Sequence, residues 1–357
     1  ACNVRNRGLL SARALGAHRD EDVAMRKIGI GLNWQGAFNM QDAIEQAKVA
    51  DDSGVDHLMV AEAWGRDAFT TMAILGYETH NIRIGTAIIN VFSRTPAALA
   101  QHFTSLDALT DGRMIIGIGS SGPQVIEHFH GMPFDKPMRR IREYTEIINM
   151  LVAGEPLNYH GKIFNLERGF TLRHLDELPR RHIPIFIGAF SEKSVRQTAE
   201  IADGWLPGHT TRDKWKDEVA TFHQYAREAG RDPLSIEIKA SGGVTITDDP
   251  EKAYEGVRMQ NAFYMARMGD LHYNAYRAFG LGEVADEVRR AWRESGSEAA
   301  YRAVPDDVVH SLGYAGPVEG AIDWMEEQRD AGYTLHGVSV DERDPKKRAA
   351  IFKQLVG

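Results

Sequence analysis

The sequence predicts an α/β protein of one domain, a (β/α)8 (TIM-type) barrel with insertion segments at the C-terminal face. Three observations predict it. From Met25 onward, short apolar runs rich in β-branched residues alternate with amphipathic stretches, the order left by right-handed crossovers between parallel strands. The alternation occurs eight times, the number that closes such a barrel. The 357 residues, 43% apolar and 26% charged, can bury one large core, and no Gly/Ser or Pro tract divides them, so residues 25–357 are expected to form a single domain.

Each strand is a short apolar run bounded by turn residues, and each helix follows with apolar residues on one face. KIGIGLNW (27–34) precedes the helix MQDAIEQAKVADDSG (40–54), and VDHLMVAEAW (55–64) precedes DAFTTMAILGYETH (67–80). IRIGTAIIN (82–90) leads to TPAALAQHFTSLDALTDG (95–112), and RMIIGIGS (113–120) to PMRRIREYTEIINMLVAG (137–154). The second half repeats the scheme with IPIFIGAF (183–190) and SEKSVRQTAEIA (191–202), then DGWLPG (203–208) and RDKWKDEVATFHQYAREAG (212–230). SIEIKASGGVTIT (235–247) is followed at length by PVEGAIDWMEEQRDAG (317–332), and LHGVSVD (335–341) by DPKKRAAIFKQLV (344–356). Residues 155–182 and 262–312 exceed this repeat and are expected to form a lid or pocket wall, because loops after barrel strands build active sites.

A net charge of −8 with scattered Lys and Arg argues against a nucleic-acid partner, and no apolar run reaches bilayer length. Residues 1–24 carry Arg but are broken by Gly8, Gly16 and an acidic cluster; they lack the core of a secretory signal and are expected to be a poorly ordered extension. The single cysteine, Cys2, allows no internal disulfide and fits the cytoplasm.

Gly117, Gly119 and Gly122 spell G-x-G-x-x-G after an apolar run. A dinucleotide fold would also need an acidic residue ending the next strand, whereas Asp135 lies in FDKPMRR, ahead of Pro137. These glycines, at the end of the fourth strand, are expected instead to allow positive φ and close backbone approach. In EHFHG, Glu127 and His130 have a metal-ligand spacing, but the second copy is missing and no metal is expected; His128 and His130 read as loop hydrogen-bonding groups. There is no G-x-S-x-G elbow, so nucleophilic catalysis is not indicated.

The blocks AEAWGRDAFT, IRIGTAIINVFSRTPAALA, LDALTDGRMIIGIGSSGPQVIEHFHG, KPMRRIREYTEII and IPIFIGAFSEKSVRQTAEIADGWLP, in this order, resemble the bacterial luciferase-like superfamily of flavin enzymes. Within it they are most similar to the coenzyme F420-dependent oxidoreductases related to methylenetetrahydromethanopterin reductase. The resemblance runs from about Met25 to the C-terminus and is strongest between Val60 and Pro207. It implies a deazaflavin or flavin ring across the barrel mouth, backed by a non-proline cis peptide between Ala87 and Ile88, with Asn90 at the ring edge. It also implies that Ser121, Gly122, Gln124 and Val125 approach the ring's polar side. The turn Gly188, Ala189, Phe190, Ser191 with Lys193 and Ser194 would take the cofactor phosphate, and Trp205 with the loop to His209 would border its tail.

Read alone, Ser191 is the N-cap of a helix lacking Glu or Gln at N3, and GTAII is a buried strand. Glu62 ends the second strand and is either a proton donor or a positioning group; some deazaflavin relatives carry Asp-His there, and this chain has Glu62-Ala63. Trp34 and Trp64 are expected in the substrate pocket. The activity implied is hydride transfer between the deazaflavin C5 and a small organic substrate, by a homodimer. The rivals are an FMN-dependent monooxygenase supplied with reduced flavin by a partner reductase, and a flavin-binding protein without turnover.

Overall fold

Helices begin where a side chain replaces the missing backbone acceptor. Asn39, Asp67 and Thr95 accept from the N–H groups of Gln41, Thr70 and Ala98 at the starts of the helices Met40–Asp52, Ala68–Glu78 and Pro96–Leu109. The helices Pro137–Ala153 and Val318–Ala331 end at Gly154 and Gly332, both left-handed. The computed structural model describes residues 25–32 and 38–357; the expected extension 1–24 and Trp34 lie outside the described residues.

Eight strands form the barrel: β1 (Ile28–Leu32), β2 (His57–Val60), β3 (Arg83–Thr86), β4 (Met114–Gly119), β5 (Ile185–Gly188), β6 (Gly204–Leu206), β7 (Glu237–Ile238) and β8 (His336–Val340). Neighbours pair in parallel from β1 through to β7, and β8 pairs with β1. The ring is completed just past β7, where Lys239 bridges Leu335: the Ala240 N–H donates to the Leu335 carbonyl at 2.7 Å, and the Leu335 N–H to that of Ile238 at 3.1 Å.

Strand alternation sorts the side chains. Leu58, Ile84, Ile116 and Ile185 join the core under the helices, whereas Met59, Ile115, Phe186 and Leu206 point into the lumen. Large lumen residues lie over glycines: a Cβ on Gly29 would stand 2.0 Å from His57 Nε2, and one on Gly204 2.4 Å from the Phe186 ring. The N-terminal end of the lumen is closed by charge. Arg83 reaches Asp56 at 2.5 Å and Glu237 at 2.7 Å, Lys27 reaches Glu237 at 2.7 Å, and His57 Nδ1 faces Asp56 at 3.0 Å. Burial opposes the Asp56 carboxylate, yet hydrogen bonds from His57 and Arg83 and the charge of Arg83 pull its pKa down to about 2.

Two expectations are corrected. The seventh strand, expected over 235–247, divides at Gly242, whose φ is 81° and where a Cβ would stand 3.1 Å from Trp215 and 3.3 Å from Trp324. Beyond it, Gly243–Ile246 pairs with β8 and with Gly313–Gly316. Residues 155–182 are not a lid. They form the antiparallel hairpin Leu157–His160 and Asn165–Phe170, whose tip donates the N–H groups of Lys162, Ile163 and Phe164 to the buried Glu143 carboxylate on the outer helix Pro137–Ala153. The segment follows a helix and precedes a strand, which in a parallel barrel starts it at the N-terminal face. The expectation for 262–312 holds better: helices from Pro250 to Ser311 carry their own core, including Met265, Tyr276, Val288 and Ala300, and part of this unit walls the cavity at the strand ends.

Candidate active site

The C-terminal ends of the strands open into a cavity of about 300 Å³, a size that suits a small-molecule site. Its floor explains the glycine motif. A Cβ on Gly117 would lie 1.6 Å from the Thr86 carbonyl oxygen, and the Thr86 hydroxyl both donates to the Gly117 carbonyl (2.7 Å) and accepts from its N–H (3.0 Å). The chain then rises as a bulge through Ala87 and Ile88, whose peptide bond is cis. Gly119 and Gly188 flank it, with a hypothetical Cβ 3.0 Å and 3.2 Å from the Ile88 side chain. Small size, not unusual φ, is what these positions require; the positive φ of this loop falls on Ser121 at 56°.

Of the residues singled out from sequence, Glu62, Ala87, Ile88, Ser121, Gly188 and Phe190 line this cavity. Glu62 is held by Arg94 through bonds of 2.6 Å and 3.2 Å and accepts the Ala68 N–H at 2.9 Å, so its carboxylate anchors the loop that starts the next helix. Gly119 and His209, at the end of the loop after β6, line it as well, and the other described positions lie outside its wall. Asn90 is buried, its carbonyl oxygen accepting from the Phe92 and Ser93 N–H groups and its amide facing His130 at 3.3 Å. Gly122 and Val125 belong to the start of the short helix Pro123–His128, and Gln124 is exposed against Gly269. The Ala189 carbonyl accepts from Trp205 Nε1 at 2.8 Å, and Trp205, buried and stacked on Phe222, lines a second cavity together with Phe190, Glu192 and Phe279. Trp64 is 40% exposed.

Ser191 and Ser194 form a complete capping box: the Ser191 hydroxyl accepts the Ser194 N–H at 3.3 Å, and the Ser194 hydroxyl accepts the Ser191 N–H at 3.0 Å. A serine does at N3 what the expected Glu or Gln would do, and Lys193 is exposed beside it. Glu127 accepts the Phe134 N–H at 3.4 Å. Among the described residues no group of three His, Cys, Asp or Glu side chains is arranged to hold a metal, and no helix is long and apolar enough to cross a membrane.

Of the cavity's remaining groups, His209 closes a loop already singled out, whereas Lys239 and His272 were passed over by sequence reasoning. His209 stacks on Tyr276 at 5.5 Å and meets Tyr264 at 5.4 Å; His272 packs between Tyr264 (4.8 Å) and Phe190 (5.3 Å). Burial pulls the pKa of His209 down to about 4, helped by the charge of Lys239, and burial with the neighbouring His209 does the same to His272. Both imidazoles are therefore neutral at pH 7. Lys239, on the strand just past β7, contributes an amine to the wall, and burial lowers its pKa as well. The sequence signal for the roof was present in FYMARMGDLHYNAY, which carries Tyr264, His272 and Tyr276.

The mouth of the barrel is thus bordered by glycines and roofed by aromatic rings. The chain belongs to the luciferase-like monooxygenase family, whose description matches residues 16–335, and is an oxidoreductase of that family. Among its relatives, a Mycobacterium tuberculosis protein assigned as a coenzyme F420-dependent oxidoreductase is 36% identical over 329 residues, covering 87% of this chain and 93% of its own length. The 5,10-methylenetetrahydromethanopterin reductase of Archaeoglobus fulgidus is 26% identical over 313 residues, covering 87% and 92%. In fold, the chain superposes on the coenzyme F420-dependent tetrahydromethanopterin reductase of Methanopyrus kandleri with a TM-score of 0.76 at 24% identity, over 93% of this chain and 99% of the other.

Proposed function

We propose that this chain is a coenzyme F420-dependent oxidoreductase that moves a hydride between the deazaflavin C5 and a small organic substrate. The observation that carries the reading is the floor: Gly119 and Gly188 leave a shallow cradle on both sides of Ile88, which a Cβ at either position would crowd and which suits a flat ring. The Mycobacterium tuberculosis relative assigned to F420 supports the choice of ring. Bound there, the cofactor supplies the redox chemistry at its C5.

The protein's share is positioning and exclusion of water. Ser121, Gly188 and Phe190 border the ring site, and Tyr264, Met268 and Phe279 roof it. At the helix Glu192–Ile201 the capping box occupies the Ser191 and Ser194 N–H groups, leaving those of Glu192 and Lys193, with the Lys193 ammonium, to meet a phosphate. Glu62, committed to Arg94, acts as a positioning group in this reading. A homodimer belongs to the same proposal and is read by sedimentation.

The test is to titrate F420 and FMN separately with purified protein. Saturable quenching of F420 fluorescence without comparable FMN binding is expected. FMN binding with no affinity for F420 overturns the reading in favour of the oxygen-using chemistry in the family's name, and substrate turnover with either excludes a mere carrier.

A further inference from the structure

Among the described residues, no carboxylate stands against the amine of Lys239. Alternation along β7 sends Glu237 into the lower network and Lys239, two residues on, into the cavity wall. Among the described residues its amine makes no hydrogen bond or ion pair. Space for it is left by Gly337 on β8, where a Cβ would stand 3.3 Å from Nζ. The titratable groups facing it are His57 on β2, His336 on β8 and His209 after β6; burial pushes all three toward the neutral form, and none is a carboxylate.

An ammonium enclosed without a partner is costly: burial draws the amine toward its neutral form, and negative charge arriving beside it favours the ammonium. Hydride addition to a carbonyl delivers that charge, on oxygen. The other candidates for protonating the oxygen are weak. Glu62 is tied to Arg94, His209 and His272 are without a proton to give at pH 7, and burial raises the pKa of Tyr264 and Tyr276. A lysine pKa lowered by its surroundings moves toward the range that serves general-acid catalysis.

Resting on the F420 reading above, we propose that Lys239 is a catalytic residue that binds the oxygen of an apolar carbonyl substrate and protonates it as hydride reaches the carbonyl carbon. A C–H bond forms, the C=O π pair moves onto oxygen, and the oxygen takes a proton from the ammonium to give the alcohol. The reductant is the two-electron reduced deazaflavin, which sheds one proton besides the hydride, and that proton, by way of water, restores the ammonium. The walls of Phe190, Leu271 and Phe279 suit an apolar substrate body.

The first arm of the test needs no cofactor. 4-Nitrophenol, an oxyanion probe with a visible phenolate band, is added to the full chain and titrated with pH. The wild type is expected to lower the probe's pKa by one unit or more; the shift should vanish in Lys239→Met and Lys239→Gln and persist in Lys239→Arg. Replacing an unpaired charge by Met should leave the melting temperature at or above wild type, which separates loss of function from loss of fold. In the second arm, with reduced deazaflavin and a series of apolar ketones, hydride transfer in a single turnover should slow 100-fold or more in Lys239→Met, the order general-acid catalysis contributes, with cofactor quenching changed less than threefold. An unshifted probe in the wild type, a shift that survives in Lys239→Met, or undiminished turnover overturns the proposal. A Lys239-dependent probe shift without deazaflavin quenching supports the lysine and overturns the cofactor reading alone.

Discussion

The two ends of the barrel lumen use similar residues to opposite purposes. At the N-terminal end Lys27, Asp56, Arg83 and Glu237 bind one another, so that every charge has a partner. At the C-terminal end Lys239 has none among the described residues, and His209 and His272 are packed against rings. Glu237 and Lys239 lie on one strand two residues apart, so sequence neighbourhood does not separate the roles. What separates them is whether the opposite wall supplies a counter-charge. Paired groups offset one another's charge at the lower end, and the proposed role of Lys239 rests on the lack of such a partner among the described residues at the upper end.

That contrast can be broken most severely through the wall that shapes the cavity. Gly117→Ala puts a methyl 1.6 Å from the Thr86 carbonyl, backbone against backbone, and is expected to cost about 3 kcal/mol or more; Gly243→Ala, with nothing within 4 Å, should be near neutral. Thermal melting of the two variants checks this. Next, Arg83→Met strips both carboxylates of the plug of their shared partner and should destabilise by about 2 to 3 kcal/mol, the low end for a buried pair because the side chains are about a quarter exposed. Lys239→Met should move stability the other way or not at all, and equal losses in the two variants would erase the distinction drawn above.

A smaller effect per residue is expected from pH. His209 and His272, with native pKa values of about 4, bind protons less readily than in the unfolded chain, where the ordinary value is about 6.5. Between those values the unfolded state holds more protons, so their contribution to stability is complete above about pH 6.5 and is lost as pH falls toward 4. His336, pulled by burial to about 3, adds a share from lower in the barrel. The double variant His209→Gln, His272→Gln should therefore flatten part of the decline between pH 6.5 and 5, by about 3 kcal/mol for the two groups together, in denaturant titrations. Asp56 responds later: its stabilisation is present above about pH 4 and is lost as pH approaches 2. The smallest change is expected for Glu62→Gln, which keeps hydrogen-bonding capacity toward Arg94 and should lower turnover less than tenfold; a far larger loss with an altered pH profile would make Glu62 a proton donor after all.

Particular residues show how far the chain could be read in advance. The position of the Ala87–Ile88 bulge came from resemblance, and the cis bond lies there. Ser191 was legible as an N-cap, but its partner Ser194 was not, because a serine at N3 completes the box less commonly than Glu or Gln. Gly117 and Gly119 were read as allowing positive φ and close approach; neither has positive φ, and the close approach is to Thr86 and Ile88, some thirty residues away in the chain. That Asn90 also holds a turn and that Gln124 lies at an exposed helix start were not legible in the sequence. Lys239 was hidden in a run read only as apolar, although Glu237 and Lys239 already showed the two-residue period of a lumen-facing pair.

Strand and helix order, their number and the parallel arrangement follow from apolar periodicity and turn residues, which act over a few positions and are written in the chain itself. Folding in three dimensions was needed to set 155–182 against an outer helix, to divide the seventh strand at Gly242 over two tryptophans, and to leave Lys239 alone while Glu237 found Arg83. Steric fit and charge pairing depend on what stands across the barrel, and that partner is distant in sequence.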